Sequence, residues 1–355
     1  MADVEKYAGK QRIGLLEQSG WNTPAADDAN YTGLNYDSSV SIPDPGVQTG
    51  QFGWGARSGS MRESARRYTD AVSQPKMINF SGIITKGTLA PHLTAALQYV
   101  TEAATTPYAK IYHAGNVTST GDPEMDFSND EGYTHTIAID NYQGYDGVIL
   151  EDAVLDNLNL IWENNSSGID RLAKMAGTWK GTAIQHGQDL SGGTWVAPLT
   201  TGFYNTASQS AAFTPSTVTI GSTSLDGICW RRFELQINNN VTSDCKTIGG
   251  KPNNWKFAPE IKMLLDIPYN ETSYALFSEY VSGSDCLLTF QNGAGTADGG
   301  LSIHAGNGFL EVNPFQYENG YQVLRLTINV EYEDVVNGAF VIKMADTVQW
   351  GYPAP

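Results

Sequence analysis

The sequence predicts a mainly β protein built from two similar halves. Gly supplies 37 of the 355 residues and charged residues only 17%, a composition that favours turn-rich β structure. The segment 321–332 alternates apolar and polar residues, with the period of a strand that has one buried face. The same order of predicted elements occurs in both halves, and it predicts a tandem duplication.

The chain divides into four predicted parts. Residues 1–60 carry turn signals and are predicted to be an amino-terminal arm, or else an ordinary irregular surface segment. Residues 61–190 and 217–355 are predicted domains, because a chain of this length suffices for two. Residues 191–216, rich in Gly, Ser and Thr, are a predicted linker or long loop. We expect deletion of residues 1–24 to leave a folded subunit that does not polymerise.

The first predicted domain contains one helix, at 89–100. Thr88 is its expected N-cap and Pro91 lies in its first turn. The predicted strands of this domain are 76–84, 133–141, 148–163 and 172–184.

The second predicted domain also contains one helix, at 272–281, which ends before Gly283. Its predicted strands are 217–220, 227–239, 256–267, 286–290, 301–317 and 321–332. The two halves align best where residues 157–165 match residues 311–319 in hydrophobic pattern.

Charge and cysteine content exclude several classes of protein. A net charge of -17 argues against a protein that grips nucleic acid through its phosphates. Three cysteines with no CxxC pair predict neither a disulfide framework nor a zinc site. The start of the chain is polar and no apolar run reaches about 18 residues. We therefore expect assembly in a cytoplasm, with no membrane partner.

Motifs for catalysis are missing from the sequence. The five histidines do not form an HExxH pair, and neither a GxSxG elbow nor a P-loop occurs. The acidic segment 122–131 resembles a calcium loop in spacing but lacks the required Gly and Glu, so a solvated loop or a loop facing a channel lumen is favoured. The sequence therefore predicts a protein that is not an enzyme and uses no cofactor.

Two other features have open interpretations. The tryptophans either form a platform for a sugar or belong to the core and to interfaces; they include Trp54, Trp179, Trp195, Trp230 and Trp255. The basic cluster 60–68 would present Arg62 and Arg66 on one face if it formed a helix, as a solvated face or as a partner for an acidic neighbour.

Three stretches of sequence carry a family resemblance. The first is Glu17-Gln-Ser-Gly-Trp-Asn-Thr-Pro24; the second combines 133–138, 154–160 and Trp179-Lys-Gly181; the third runs from Arg232 through Ala258-Pro-Glu260 to Ile267. In these stretches the chain resembles the tail tube (major tail) proteins of long-tailed, non-contractile bacteriophages. The resemblance covers most of residues 20–332, through diffuse patterns of strands and turns.

The resemblance implies an architecture and a function. Each half would be a tail-tube-type β-sandwich or barrel with one flanking helix. Subunits would form rings of three with pseudo-sixfold symmetry, or of six, and stacked rings would form a channel for DNA ejection. The implied partners are other copies of the chain, a tape-measure protein, and the tail terminator and distal tail proteins. The implied location is the virion tail, after assembly in the host cytoplasm.

On this interpretation, the polar faces of two long strands are candidates for the channel lumen or for interfaces. The residues are Asp156, Asn157, Asn159, Arg325, Thr327, Asn329 and Glu331. Strand period alone equally allows these faces to cover the outside of the protein. The alternative function is a virion carbohydrate-binding or glycan-cleaving β-sandwich protein.

Overall fold

A computed structural model of the chain confirms the mainly β prediction. The structure describes residues 12–18, 23–26, 29–34, 36, 47–52, 66–71, 76–102, 108–114, 134–140, 147–163, 173–196, 217–220, 223–225, 230–243, 255–271, 273–274, 288–292, 301–305, 308–318, 321–330 and 340–346.

Strands make up most of the described residues. In the first part of the chain the elements are β1 (Arg12–Glu17), β2 (Asn30–Gly33), β3 (Val47–Phe52), β4 (Arg66–Ala71), β5 (Lys76–Ile83), α1 (Lys86–Leu97), β6 (Gln98–Glu102), β7 (Tyr108–Ala114), β8 (His135–Asp140), β9 (Gly147–Glu163), β10 (Lys174–Gly181), β11 (Ala183–Gln188), a 3-10 turn (Leu190–Gly192) and β12 (Thr194–Val196). In the second part they are β13 (Thr217–Ile220), β14 (Thr223–Ser224), β15 (Arg232–Asn238), β16 (Glu260–Pro268), β17 (Leu288–Asn292), β18 (Leu301–Ala305), β19 (Gly308–Glu318), β20 (Tyr321–Val330) and β21 (Phe340–Asp346).

The described strands form two large sheets and one small one. The main run of the first sheet has the order β5-β10-β9-β15-β16-β20-β19, and we call it the long sheet. The lower part of β9 continues the same sheet into β8, β1, β2 and β12, with β11 on its other edge. The second sheet has the order β14-β13-β17-β18-β21-β7-β6, and β3 pairs with β4 alone.

Strand β9 belongs to both parts of the first sheet, and Asp152 lies where its pairing changes from β11 to β10. The φ angle of Asp152 is 47°, a left-handed conformation that strains a non-glycine residue. The carboxylate is fully buried and accepts a hydrogen bond of 2.6 Å from the Thr182 hydroxyl. This bond fixes the side chain of the strained residue.

One hydrophobic core joins the two sheets and α1. It contains large buried side chains of the long sheet, such as Trp162 and Phe233, together with Ile303 and Ile342 of the second sheet. Trp162 and Phe233 are cross-strand neighbours, with ring centroids 5.5 Å apart. Burial of each such side chain stabilises the fold by about 2 kcal/mol, and Leu89 and Leu93 of α1 belong to the same core.

Helix α1 begins earlier than the sequence predicted. Thr85 and Thr88 cap it together: the Thr88 N–H donates to the Thr85 hydroxyl over 3.3 Å, and the Thr85 N–H donates to the Thr88 hydroxyl over 3.0 Å. Thr88 therefore lies inside the helix, three residues after the cap. The predicted helix at 272–281 lies almost entirely outside the described residues, although residues 273 and 274 are helical.

The prediction of an irregular arm at residues 1–60 is wrong for β1 and β2. Strand β1 pairs along its whole length with β8, from Arg12 opposite Asp140 to Glu17 opposite His135. Leu15 on β1 and Tyr31 on β2 are fully buried. Deletion of residues 1–24 would remove a paired strand from the first sheet, so we no longer expect the truncated chain to fold.

The two predicted domains do not form separate sheets. In the long sheet, β9 of the first half pairs with β15 of the second, and in the second sheet β7 pairs with β21. The predicted linker also begins inside the fold, because β12 pairs with β2 of the first sheet. Residues 191–216 are rich in Gly, Ser and Thr, but this composition carries no information on which strands pair.

The halves nevertheless repeat one strand order inside the long sheet. Ser81 of β5 pairs with Ala176 of β10, which pairs with Asn159 of β9. In the second half Asp266 of β16 pairs with Arg325 of β20, which pairs with Asn313 of β19. These registers match residue 157 with residue 311, as the sequence alignment of the halves does.

The helix that follows the first strand of each repeat is also capped in the same way. In the first half Thr85 and Thr88 exchange hydrogen bonds between backbone and side chain. In the second half the Ser273 N–H donates to the Asn270 side chain over 2.9 Å, and the Asn270 N–H donates to the Ser273 hydroxyl over 2.7 Å. The repeated order and the repeated cap support the predicted duplication.

Candidate assembly surface

One face of the long sheet is polar across strands from both halves. On β9, residues 158, 160 and 162 are buried, whereas residues 157, 159, 161 and 163 are half-buried and alternate with them. The same alternation occurs on β20, where residues 325, 327 and 329 are half-buried. Because side chains alternate between the two faces of a strand, these positions lie opposite the core. We call this surface the polar face.

The structure places most of the predicted site residues together on the polar face. Asn157 and Asn159 lie on β9, and Arg325, Thr327 and Asn329 lie on β20. Only β15 and β16 separate the two strands, so the two sets are about 15 Å apart. Glu331 lies outside the described residues.

Asp156 is not part of this face. It is the extra residue of a β-bulge, because Thr178 pairs with Asn157 and Trp179 pairs with Leu155. Its carboxylate is 2.8 Å from the Lys180 ammonium and also accepts a 2.8 Å hydrogen bond from the Val241 N–H. Asp156 is only 8% exposed, so it holds the 239–241 segment against β9 instead of lining an open surface.

Strand β15 contributes residues that the sequence did not single out. Glu234 accepts hydrogen bonds from Asn159 over 2.8 Å and from Gln236 over 2.7 Å, and it forms an ion pair with Arg232. Asn159 is the cross-strand partner of Gln236. Glu234 thus joins a predicted site residue to the second half of the chain, through a buried carboxylate with three donors.

A second ion pair fixes Arg325. Its guanidinium donates two hydrogen bonds to the Asp266 carboxylate, of 2.7 Å from Nε and 2.5 Å from Nη2. The side chain of Asp266 is 3% exposed and that of Arg325 27% exposed. The bidentate geometry orients the Arg325 side chain along the sheet. The alternation of residues within β20 does not predict Asp266 as the partner of Arg325, because Asp266 lies on the neighbouring strand β16.

The described polar face has balanced charge although the chain is strongly acidic. Besides Lys180, whose charge is paired with that of Asp156, four basic and four acidic side chains of the described residues occupy it: Lys174, Arg232, Lys262, Arg325, Glu163, Glu234, Glu260 and Asp266. Amide, hydroxyl and small side chains lie among them, including Asn157 and Thr178. The side chains counted on this face therefore contribute little to the net charge of -17.

A separate polar cluster lies inside the core, beneath the long sheet. The Trp179 indole N–H donates to the Tyr36 hydroxyl over 3.3 Å, and that hydroxyl is 3.0 Å from Nε2 of His92. Nδ1 of His92 contacts the Thr88 carbonyl at 2.5 Å, which assigns the proton of the neutral ring to Nδ1. Burial lowers the pKa of His92 to about 4, against the raising effect of the Thr88 carbonyl, and burial raises the pKa of Tyr36.

The sequence candidates for sugar and metal binding gain no support from these contacts. Trp179 is fully buried, Trp255 is 6% exposed, and Trp195 stacks on Tyr31 at 5.2 Å between ring centroids. The described part of the chain contains no group of three or more His, Cys, Asp or Glu side chains placed to hold a metal ion. The acidic segment 122–131 and Trp54 lie outside it. Among the described helices, none has the length and apolar character needed to cross a bilayer.

Comparison of the chain with protein-family models and with curated proteins gives no match.

Proposed function

We propose that this chain is the structural subunit of a phage tail tube, which self-assembles into stacked rings around a channel for DNA ejection. The observation that carries the proposal is the long sheet itself. It has a continuous polar face made by both halves, and no described strand of the chain pairs with the outer edge of β5 or of β19. Exposed sheet edges are sites at which copies of a chain can pair.

The proposal gives the two sides of the long sheet different roles. The buried side packs on the core, and the polar face lines the channel. Closing the sheet around a ring joins all of its edges. During assembly in the host cytoplasm the channel encloses a tape-measure protein, and the tube joins a tail terminator and a distal tail protein. In the finished virion tail it conducts DNA.

The balanced polar face suits a passage that does not hold its cargo. Binding to DNA depends on clusters of basic side chains that neutralise phosphates. On the described polar face, Arg325 and Arg232 are each paired with a carboxylate. The channel surface in this proposal is therefore wet and non-adhesive, and repulsion by the acidic remainder of the chain is not required for DNA to pass.

Electron microscopy of the purified full-length protein tests this function. Concentration and gentle warming should produce rings, or tubes with an open channel. Thr327→Cys on the polar face should be labelled in these tubes by a small thiol reagent but not by a reagent wider than the channel. His186→Cys is the control, because His186 is exposed on β11, away from the polar face. A protein that stays monomeric at high concentration and binds glycans would contradict the proposal.

A further inference from the structure

Strand β15 joins the two repeats of the long sheet. One of its edges pairs with β16 of its own half, with Gln236 opposite Lys262. The other edge pairs with β9 of the first half, with Gln236 opposite Asn159. The junction between the repeats is therefore a three-strand unit, β9-β15-β16, in which the middle strand precedes β16 in the chain.

The first repeat has a strand in the equivalent chain position. Strand β4 precedes β5 as β15 precedes β16. The sequence Arg-Arg-aromatic occurs at the start of both: Arg66-Arg67-Tyr68 opens β4, and Arg231 immediately precedes Arg232-Phe233 of β15. This match aligns Ala71 with Gln236. Residues 66–68, the end of the basic cluster 60–68, lie in β4 and not in the helix considered for that cluster.

In the single chain β4 does not occupy the position that β15 occupies. It pairs with β3, from Val47 opposite Ala71 to Phe52 opposite Arg66. Among the described strands, nothing lies on the outer edge of β5. Met77, which aligns with Lys262, is 47% exposed on that strand. In the second half, β15 pairs with β16 and places Gln236 opposite Lys262. In the first half, no described strand takes the equivalent position beside β5.

We propose that β4 leaves β3 on assembly and inserts between β5 of its own chain and β19 of the next copy. This strand exchange rests on the proposed function, because it requires copies arranged in a ring. It reproduces the β9-β15-β16 junction between subunits, so that every junction in the ring has the same three-strand form. In the free subunit the pairing with β3 occupies one edge of β4 and blocks premature polymerisation.

The internal junction fixes the register of the exchanged strand. Gln236 lies between Lys262 and Asn159, and these residues align with Met77 and Asn313. Ala71 should therefore lie between Met77 of its own chain and Asn313 of the next copy. Residues 72–76 are enough for a hairpin connection between β4 and β5, because such loops commonly have two to five residues.

Cysteine cross-linking of the full-length protein tests this register. The double variant Ala71→Cys/Asn313→Cys is assembled, oxidised and run on a non-reducing gel. We expect a ladder of dimers and trimers, absent in each single variant. The matched control is Gln48→Cys/Asn313→Cys, because Gln48 lies on β3 opposite Asp70 and should not cross-link. Tubes without the ladder, or with a ladder only in the control, would overturn strand exchange and leave the proposed function standing.

A second variant tests the exchange without oxidation. Thr69→Pro removes one backbone N–H from β4, which cannot then pair fully on both edges. Because β3 is the single described strand that pairs with β4, the thermal midpoint of the monomer should be unchanged while assembly is lost. Tubes at wild-type yield from this variant would refute the exchange. If the wild-type protein does not form rings at all, the proposed function fails and strand exchange fails with it.

Discussion

His92 shows how one buried side chain couples the fold to pH. It is fully buried, and its two ring nitrogens contact the Tyr36 hydroxyl and the Thr88 carbonyl. A proton added at Nε2 would turn an acceptor into a donor facing a hydroxyl that already accepts from Trp179. Protonation therefore leaves the Tyr36 O–H without its acceptor on His92 and places a charge inside the core.

We expect this residue to make the protein sensitive to acid. The pKa of His92 is lowered from 6.5 to about 4 by burial, so between those pH values the unfolded chain binds a proton that the folded chain does not. Its contribution to stability is complete above pH 6.5 and falls by up to about 3 kcal/mol as the pH decreases to 4. Urea unfolding of wild type and His92→Gln at a series of pH values measures it.

The difference in unfolding free energy between wild type and His92→Gln should narrow as the pH falls. His186→Gln is the control, because the exposed His186 side chain should leave the wild-type curve unchanged. A constant difference between wild type and His92→Gln from pH 7 to pH 4 would contradict the assignment of His92 as the group responsible.

Asp156 gives a second prediction about a single residue. Asp156→Asn leaves the Lys180 ammonium, 17% exposed, with the neutral Val241 carbonyl at 2.9 Å in place of a charged partner. Loss of one member of such a pair should lower the free energy of unfolding by about 3 kcal/mol. Chemical denaturation of Asp156→Asn, Lys180→Met and the double variant measures the coupling; additive losses would show that the two groups act independently.

Among the secondary-structure elements, β10 approaches β9 so closely that one of its positions has no space for a side chain. A Cβ on Gly177 would lie 2.4 Å from the Asn157 carbonyl oxygen and 2.7 Å from the Phe80 ring. The backbone oxygen belongs to a strand paired on both edges, so it cannot move away cheaply. Glycine at this position is therefore required by packing, in a strand where it would otherwise be unfavourable.

Gly177→Ala should destabilise the protein by about 2 to 3 kcal/mol through overpacking. Ala176→Ser is the matched control, because Ala176 is the exposed neighbour on the same strand and a hydroxyl there meets solvent. Urea denaturation compares the two variants. A smaller loss for Gly177→Ala than for Ala176→Ser would mean that β9 and β10 adjust freely, against the tight register between them.

For the whole molecule, the internal repeat determines the expected ring. Two similar three-strand repeats occur in one chain, β5-β10-β9 and β16-β20-β19, and in the proposed tube they would supply two positions of a pseudo-sixfold ring. We therefore expect three copies to close the ring, because symmetric assembly requires one type of contact between copies.

Mass measurement of isolated rings distinguishes three copies from six. Three chains of 38.5 kDa give a ring of about 116 kDa. Native mass spectrometry of rings released from tubes, with intact monomer as the mass standard, measures this value. A ring of twice that mass would mean that the two repeats are not equivalent in the assembly.

Much of the fold followed from periodicity in the sequence. The alternation in β9 and β20 predicted two strands with one polar face each, and Asn157, Asn159, Arg325, Thr327 and Asn329 occur where that period places them. The sequence alignment of residue 157 with residue 311 was possible because equivalent strands of the two halves have apolar residues at equivalent positions. The alternation of apolar and polar residues depends only on neighbours along the chain, so the sequence was sufficient to predict which side chains share a face.

Pairing between distant segments was decided by the tertiary structure. The burial of β1 against β8, the bulge at Asp156 and the insertion of β15 between the repeats all depend on pairing with other strands. The paired residues are 21 positions apart for Asn157 and Thr178 and 128 apart for Arg12 and Asp140. Strand period does not specify which edge meets which, because every strand presents the same backbone donors and acceptors. The sequence thus determined the polar stripes of this protein, and tertiary pairing assembled them into one continuous face.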